Sequence, residues 1–148
     1  MRFRSAACLL SACIGPAGCE QQAIKVTNLA KPGSVSVSNT GPAIRVKRRI
    51  VVEQQASGKW VPTDAYFDLI GYCGDPARQD CRELKGETIE VVPWTGYSCS
   101  AQCARPCREN SYLGPGAFRF VVVTCDGKQR FEGAPFELPA AAPGPPKQ

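Results

Sequence analysis

The 148-residue chain is predicted to be an all-β protein, an antiparallel, disulfide-braced β-sandwich of immunoglobulin-like type. Two observations lead to this fold class. Short runs of alternating apolar and polar residues recur along the chain, separated by turn signals rich in Gly, Pro, Asn and Asp. No long segment shows the roughly 3.6-residue apolar period of an amphipathic helix.

The predicted strands follow one another through most of the chain. They are residues 21–30, 34–39, 43–55, 59–61, 66–72, 87–94, 117–125 and 128–131, followed by Phe136–Leu138. In the longest, 43–55, apolar residues at even positions from Ile44 to Val52 face one side of the sheet. Asp126-Gly127 is the strongest hairpin signal. The predicted core comprises Ile44, Val46, Phe67, Leu69, Ile89, Val91, Phe118, Phe120 and Val122.

The N-terminus has the features of a secretory signal. Arg2 and Arg4 precede an apolar run over residues 5–18, which is too short to span a bilayer because a spanning helix needs about 20 apolar residues. We therefore expect residues 1–18 to be a signal peptide, 19–22 a lipidated N-terminus and short linker, 23–138 the β-sandwich and 139–148 a disordered Pro/Ala-rich tail.

Two segments resemble the bacterial lipobox, in which small residues precede a lipidated Cys. Residues 10–13 (LSAC) fit its form but leave a very short apolar region, whereas 16–19 (PAGC) have Pro in place of Leu but a better length. We expect the lipid on Cys19, with Cys13 as the alternative and a signal peptide without lipid as the third reading. The chain is then a lipid-anchored protein of the periplasm, outer membrane or cell surface.

The cysteine count favours Cys19. Cleavage before Cys19, with a lipid on its sulfur, leaves an even set of six cysteines that can form three disulfides in an oxidising compartment. These six are Cys73, Cys81, Cys99, Cys103, Cys107 and Cys125. The short loop between them predicts Cys73–Cys81 as one bridge, with Cys125 bonded to one of the three cysteines in the segment 99–107.

Residues 87–94, followed by LGPGAFRF at 113–120, resemble the late strands of small secreted bacterial immunoglobulin-like domains. These include lipoproteins of unknown function and, more distantly, the family of the Bacillus intracellular proteinase inhibitor. The chain departs from the immunoglobulin pattern because Phe118 stands where a corner tyrosine is usual, and because the Cys…Trp…Cys core spacing is missing. The resemblance implies the fold and a secreted location, and it assigns no functional residue.

Metal and catalytic readings are weak. The chain has no His, which excludes Ser-His-Asp and Cys-His catalysis. The spacing of Cys99, Cys103 and Cys107 differs from usual zinc and iron–sulfur sites, and Pro106 argues against a helix that would align them, so disulfides are favoured. We expect no metal and no cofactor.

Carboxylates and aromatic residues leave two further alternatives. A small hydrolase needs only two acids, and Asp64, Asp68, Asp75 and Asp80 lie close together in sequence. A carbohydrate surface would need exposed rings, for which Trp60, Trp94, Tyr97 and Tyr112 are candidates, although core and turn packing is favoured. The expected function is a non-catalytic, membrane-tethered binding or structural domain; the alternative is a protease-inhibitor-like module that presents a disulfide-braced loop.

Charge gives little indication of a nucleic-acid partner. The net charge is +5, and removal of Arg2 and Arg4 leaves +3, too small and too scattered for nucleic acid. Arg45, Lys47 and Arg49 form a basic stripe, favoured as a solvated strand face that protects an edge. The alternative is an anionic partner such as lipopolysaccharide, a phospholipid surface or an acidic glycan. Any other partner, protein or glycan, stays unidentified.

Overall fold

The computed structural model describes residues 24–30, 33–65, 67–69, 81–90, 94–98 and 111–140. These residues form an all-β, antiparallel structure without a helix. Its strands are β1 (Ile24–Asn28), β2 (Val35–Asn39), β3 (Ile44–Lys47), β4 (Arg49–Ala56), β5 (Lys59–Pro62), β6 (Phe67–Asp68), β7 (Cys81–Leu84), β8 (Thr88–Glu90), β9 (Gly116–Val123), β10 (Arg130–Glu132) and β11 (Phe136–Leu138).

The strands form three groups. One sheet has the order β1-β2-β8, a second has the order β10-β9-β4-β5, and β3 pairs with β7. β11 adds to β9 and β6 adds to β4. The second group is called the main sheet below. It is built on the long pairing of β4 with β9, in which Val52 lies opposite Phe120.

Side chains from both larger sheets bury themselves in one core. Val35 and Val37 of β2 belong to the same buried cluster as Phe118 and Phe120 of β9. Trp94 packs edge-on against both phenylalanines, with ring centroids 5.4 and 6.1 Å away. Such edge-to-face contacts stabilise aromatic pairs beyond the burial of their area.

The core prediction is largely confirmed. Five of its members are buried: Val46, Leu69, Phe118, Phe120 and Val122. Ile44 and Ile89 are partly buried and pack against the cluster. The side chain of Phe67 and all of Val91 lie outside the described residues.

The strand predicted over residues 43–55 is interrupted at Arg48. Val46 forms a bridge with Thr124, and Val51 pairs with Val121. The interval from Val46 to Val51 is five residues, whereas the interval from Val121 to Thr124 on the partner segment is three. Two extra residues are therefore accommodated between the two pairs, as in a β-bulge. An insertion of two preserves the side-chain alternation, which is why the sequence pattern did not reveal the break.

Both predicted pairings are wrong, that of Cys73 with Cys81 and that of Cys125 with a cysteine of the segment 99–107, because Cys81 is bonded to Cys125. The segment 81–84, not expected as a strand, is β7 and pairs with β3, so that Cys81 lies opposite Lys47. On the same strand the Arg45 carbonyl accepts a hydrogen bond from the Cys125 amide. β3 thus brings the two cysteines together across 44 residues of sequence.

The predicted signal peptide, the linker with Cys13 and Cys19, and tail residues 141–148 all lie outside the described residues. Pro139, where the tail was expected to begin, accepts a hydrogen bond from the Tyr112 hydroxyl. In the described ranges no helix has the length and apolar character needed to cross a bilayer.

Candidate functional site

The side of the main sheet that faces away from the core is its outer face. Ile50 and Val52 of β4 point into the core, so the alternation directs Glu53 outward. Glu53 lies directly opposite Arg119 of β9. Charged side chains lie at both ends of the outer face. At one end the arginines are paired with glutamates, and at the other end the cations form no ion pair within the described residues.

At one end, two glutamates and two arginines form a closed network. Arg119 Nε donates to Glu53 Oε2 at 2.8 Å and Arg130 donates to Glu53 Oε1 at 2.6 Å. Arg119 also makes a bidentate pair with Glu132, at 2.6 and 2.9 Å. Its guanidinium stacks 4.7 Å from the ring centre of Trp60, within cation–π range. These five residues are the Glu53 cluster.

The Glu53 cluster has no net charge, and its centre is enclosed, whereas Arg130 and Glu132 at its edge are exposed. Only 3% of the Glu53 side chain and 15% of the Arg119 side chain are exposed. Burial by itself would raise the pKa of Glu53, but the hydrogen bonds and charges of Arg130 and Arg119 outweigh it, so the pKa lies below its ordinary value. A carboxylate held ionised in this way cannot serve as a general acid near neutral pH.

At the other end lies an open cleft of about 470 Å³, called the β3 cleft below. Residues 43–45 form one wall, and residues 124–126 with Lys128 and Gln129 form the other. β3 follows the end of β9 as far as the bridge from Val46 to Thr124. The Cys125 amide still joins the two walls through its hydrogen bond to the Arg45 carbonyl, and the chain then turns through Asp126-Gly127, where Gly127 has a positive φ of 74°.

The cations of the β3 cleft are only partly balanced, since the charge of Lys128 interacts with that of Asp126. Within the described residues, neither exposed Arg45 nor exposed Lys128 forms an ion pair. Glu83 lies across from Arg45 in the ladder, but its carboxylate contacts Lys85 at 3.2 Å. The cleft therefore keeps two positive charges close to one negative charge, that of Asp126.

The Asp126 carboxylate is committed to its own turn. Its Oδ1 accepts hydrogen bonds from the Thr124 hydroxyl at 2.5 Å and from the Lys128 amide at 3.0 Å. These hydrogen bonds are the main reason why the pKa of Asp126 lies below its ordinary value. Because the carboxylate is directed at the turn, the Arg45 side chain remains available to a ligand.

A third feature is the stem from which the Cys-rich segment leaves the fold. The Ser98 amide donates to the Ser111 carbonyl at 2.9 Å, and the Ser111 amide donates to the Ser98 hydroxyl at 3.0 Å. The Leu113 amide donates to the Gly96 carbonyl at 2.8 Å. Residues 99–110, with Cys99, Cys103 and Cys107, connect the two sides of this stem and lie outside the described residues.

The stem is fixed to the core by aromatic residues. Trp94 is 1% exposed, and its indole N–H donates to the Tyr97 carbonyl at 2.6 Å. Gly33, with a positive φ of 77°, lets the Trp94 backbone approach so closely that a Cβ there would lie 2.0 Å from the Trp94 oxygen. Tyr97 and Tyr112 pack with ring centroids 5.5 Å apart. The pKa of Tyr112 is raised mainly by burial of its hydroxyl, and the charge interaction with Tyr97 raises it further.

The predicted aromatic surface is not assembled from its four members. Trp94 belongs to the core, Tyr97 and Tyr112 form the stem, and Trp60 lies on the outer face beside Arg119. Packing, the favoured interpretation, is confirmed for Trp94.

The other predicted site residues can be placed only in part. Cys81 and Cys125 form a disulfide, while Cys73 lies outside the described residues together with the three cysteines of 99–107. Asp64 is exposed, and the Arg49 guanidinium donates to its carbonyl rather than to its carboxylate. The side chain of Asp68 and both Asp75 and Asp80 lie outside the described residues, so the predicted pair of acids stays a prediction.

Sequence reasoning missed the Glu53 cluster and the role of Lys128. Glu53 interrupts an apolar run, IVV at 50–52, which signals an unusual charged position. Its partners Arg119 and Arg130 are 66 and 77 residues away, so only the strand pairing identifies them. The sequence placed Arg45 in a basic stripe, but it did not indicate that Lys128 lines the same cleft.

No protein-family model, curated protein or solved structure matches the chain. Among the described residues, no three His, Cys, Asp or Glu side chains gather closely enough to hold a metal ion. The absence of a metal or cofactor therefore stays a prediction, and function must be argued from the chain's own residues.

Proposed function

We propose that this chain is a secreted lipoprotein, held at the cell envelope by a lipid on Cys19, whose folded domain acts by binding. The Cys81–Cys125 bridge is the observation that carries the proposal. Disulfides of this kind form and persist in exported proteins and are rare in the reducing cytosol. Cleavage before Cys19 leaves six cysteines besides the lipidated Cys19 itself, and the bridge uses two of these six, which leaves four.

The folded domain begins close to the proposed lipid site. Among the described residues, the buried cluster extends from Ile24 to Leu138. β1 begins five positions after Cys19. A five-residue tether reaches at most roughly 18 Å, which would hold the domain directly above the headgroups.

We further propose that the domain is an immunoglobulin-like β-sandwich. The support is that β1-β2-β8 and the main sheet contribute side chains to one cluster, as the facing sheets of a sandwich do. β1 also contacts β10 of the main sheet, and Val26 approaches Gly133, the residue that follows β10.

Binding is favoured over carboxylate-based hydrolysis by the state of Glu53. Glu53 is a buried carboxylate of the main sheet, and both of its oxygens accept hydrogen bonds from arginines. Its pKa is lowered, whereas a glycosidase general acid needs a raised one. The cleft with available charges is instead lined by cations.

Detergent partitioning tests the anchor. The full-length chain and a Cys19→Ser variant are expressed in a Gram-negative host; we expect the first to enter the detergent phase and the second to remain in the aqueous phase. If Cys13→Ser alone releases the protein, the lipid is on Cys13. If neither substitution changes the partitioning, the chain is not a lipoprotein.

A second candidate function, a protease-inhibitor-like module, is favoured by the stem. Ser98 and Ser111 are fixed to each other by two hydrogen bonds, and Trp94 ties the stem to the core. An inhibitor benefits from a loop fixed before binding, since less ordering is then required on association. Incubation with a panel of serine proteases, with inhibition that Cys99→Ser/Cys107→Ser abolishes, would support this function.

The bridge Cys81–Cys125 also limits the pairing of the other cysteines. Six cysteines allow fifteen complete pairings, but once this bridge is formed the remaining four allow three. Since three of the four lie in 99–107, each pairing joins Cys73 to that segment and closes a bridge within it. Mass spectrometry of the unreduced digest tests this prediction, and a Cys73 thiol that alkylates freely would contradict it.

A further inference from the structure

We propose that the β3 cleft binds the phosphate group of an anionic phospholipid in the membrane to which the chain is anchored. The inference rests on the proposed lipid anchor and names a second, non-covalent contact between the domain and the bilayer. It follows from three observations: available cations, a cleft of suitable size and the position of the cleft in the fold.

The cations of the cleft differ from the other arginines of the outer face. Arg119 and Arg130 are neutralised by glutamates, whereas Arg45 and Lys128 form no ion pair within the described residues. Arginine binds phosphate through two parallel N–H donors, and lysine adds a flexible point charge. The pair is therefore suited to one phosphate group with a net negative charge.

The dimensions of the cleft fit a lipid headgroup. Its volume of about 470 Å³ falls within the roughly 300–1,000 Å³ typical of small-molecule sites. Ala43 and Ile44 give one wall an apolar surface, while Thr124 and Gln129 contribute polar groups to the other. An open cleft of this kind admits a headgroup that stays attached to its bilayer.

The cleft lies at the end of the domain where the tether joins. Ile24, the first residue of β1, pairs with Asn39, whose side chain donates to the Leu84 carbonyl at 2.7 Å. Leu84 pairs with Ile44, which lines the cleft. With about 5.5 Å for each strand pair, these contacts place Ile44 within roughly 20 Å of Ile24.

The contacts of β1 with β10 lead to the same conclusion. The Asn28 side chain donates to the Ala134 carbonyl at 2.6 Å, and Val26 lies against Gly133. Gly133 and Ala134 follow directly after β10, and β1 is also in contact with β10 itself, which begins two residues after Lys128. Because a lipid on Cys19 would keep this end at the headgroups, lipid phosphate is the anion that the cleft would meet, rather than an acidic glycan further away.

Vesicle sedimentation with a lipid-free chain tests the inference. The protein is the mature chain, residues 19–148 with Cys19→Ser, which contains the whole buried cluster from Ile24 to Leu138. We expect it to bind vesicles of phosphatidylglycerol and phosphatidylcholine, and not vesicles of phosphatidylcholine alone. Arg45→Gln/Lys128→Gln should weaken binding about thirtyfold, as expected for two basic side chains at an anionic surface.

The matched control is Lys47→Gln/Lys59→Gln, which removes the same charge from exposed positions outside the cleft. We expect the control to bind within a fewfold of the parent chain. Equal losses in the two double variants would overturn the proposal, because they would indicate a general surface attraction. Circular dichroism and thermal unfolding verify that both variants remain folded.

Further arms separate the sources of the anion. Inorganic phosphate should compete only weakly with the vesicles; tight binding of inorganic phosphate without vesicle binding would overturn the lipid proposal in favour of a free anion. Retention on an acidic polysaccharide through Arg45 and Lys128, again without vesicle binding, would overturn it in favour of a glycan. The chain used in these experiments carries no lipid, so a lack of vesicle binding would contradict only the proposed phosphate site. The lipid anchor is tested separately, by detergent partitioning of the full-length chain.

Discussion

The two ends of the outer face use charge in opposite ways. In the Glu53 cluster, each arginine contacts a glutamate at 2.6–2.9 Å, and the central carboxylate is almost completely enclosed. In the β3 cleft, Arg45 and Lys128 remain exposed, and the nearby carboxylate of Asp126 is bonded to its own turn. The fold thus has one region where the cations are paired with glutamates and another where the cations form no ion pair within the described residues.

The difference shows which charges contribute to stability and which remain for recognition. A buried carboxylate must be paired, since an isolated buried charge is strongly destabilising. Exposed cations are hydrated and need no ion-pair partner, so two unpaired cations beside a cleft have little effect on the free energy of unfolding. The cleft end is held instead by a covalent bond, because Cys125, which lines the cleft, is bonded to Cys81.

The largest loss of stability is expected when the disulfide beside the β3 cleft is removed, because this region is held by a covalent bond rather than by ion pairs. Cys81→Ser/Cys125→Ser should lower the free energy of unfolding by about 4 kcal/mol, because a bridge across 44 residues of sequence strongly restricts the unfolded chain. Urea denaturation under oxidising conditions measures the change. Binding of the double variant to vesicles should also weaken. A decrease in the free energy of unfolding of less than about 1 kcal/mol would show that the bridge does not stabilise the region around the β3 cleft.

The next largest effect is expected in the paired cluster. Glu53→Gln leaves Arg119 and Arg130 without their shared carboxylate and should cost about 2–4 kcal/mol, somewhat less than a fully buried pair because Arg130 is 47% exposed. Equilibrium urea denaturation of the mature chain provides the measurement. Glu137→Gln, an exposed glutamate of β11, is the matched control and should change stability by less than about 0.5 kcal/mol. Similar losses for both variants would contradict the special role of Glu53.

Acid should weaken the cluster selectively. The pKa of Glu53 is lower in the folded chain than its ordinary value of 4.5, so its contribution is complete above that pH and is lost as the pH falls through the folded-state pKa. The stability difference between the parent chain and Glu53→Gln should therefore narrow as the pH is lowered below 4.5. Asp126, whose pKa is also lowered, is present in both chains and cancels in this comparison. A difference independent of pH would contradict the ionic origin.

The smallest effect is expected in the cleft. Arg45→Gln/Lys128→Gln should change the free energy of unfolding by less than about 0.5 kcal/mol, because both side chains are exposed and lack ion pairs within the described residues. Thermal and urea unfolding of the variant beside the parent chain provide the measurement. A loss comparable to that of Glu53→Gln would remove the distinction between the two ends.

The sequence by itself determined the fold class and most of the strands. Alternation at positions such as Val35 and Val37 requires a pleated strand with one buried face, and Asp126-Gly127 requires a turn, whatever the strands pair with. The proposed signal, Cys19 lipid and even set of later cysteines were also inferred from local residues. They remain predictions because residues 1–23 lie outside the described ranges.

Only the tertiary structure decided which distant residues meet. Cys81 was expected to bond its neighbour in sequence, but β3 brings it to Cys125 instead. Glu53 meets its arginines, and Arg45 comes to line one cleft with Lys128, through pairings of β3 and β4 with strands near the C-terminus. The physical reason is that side-chain alternation specifies a strand's faces, whereas its neighbours are selected by the packing of the whole core.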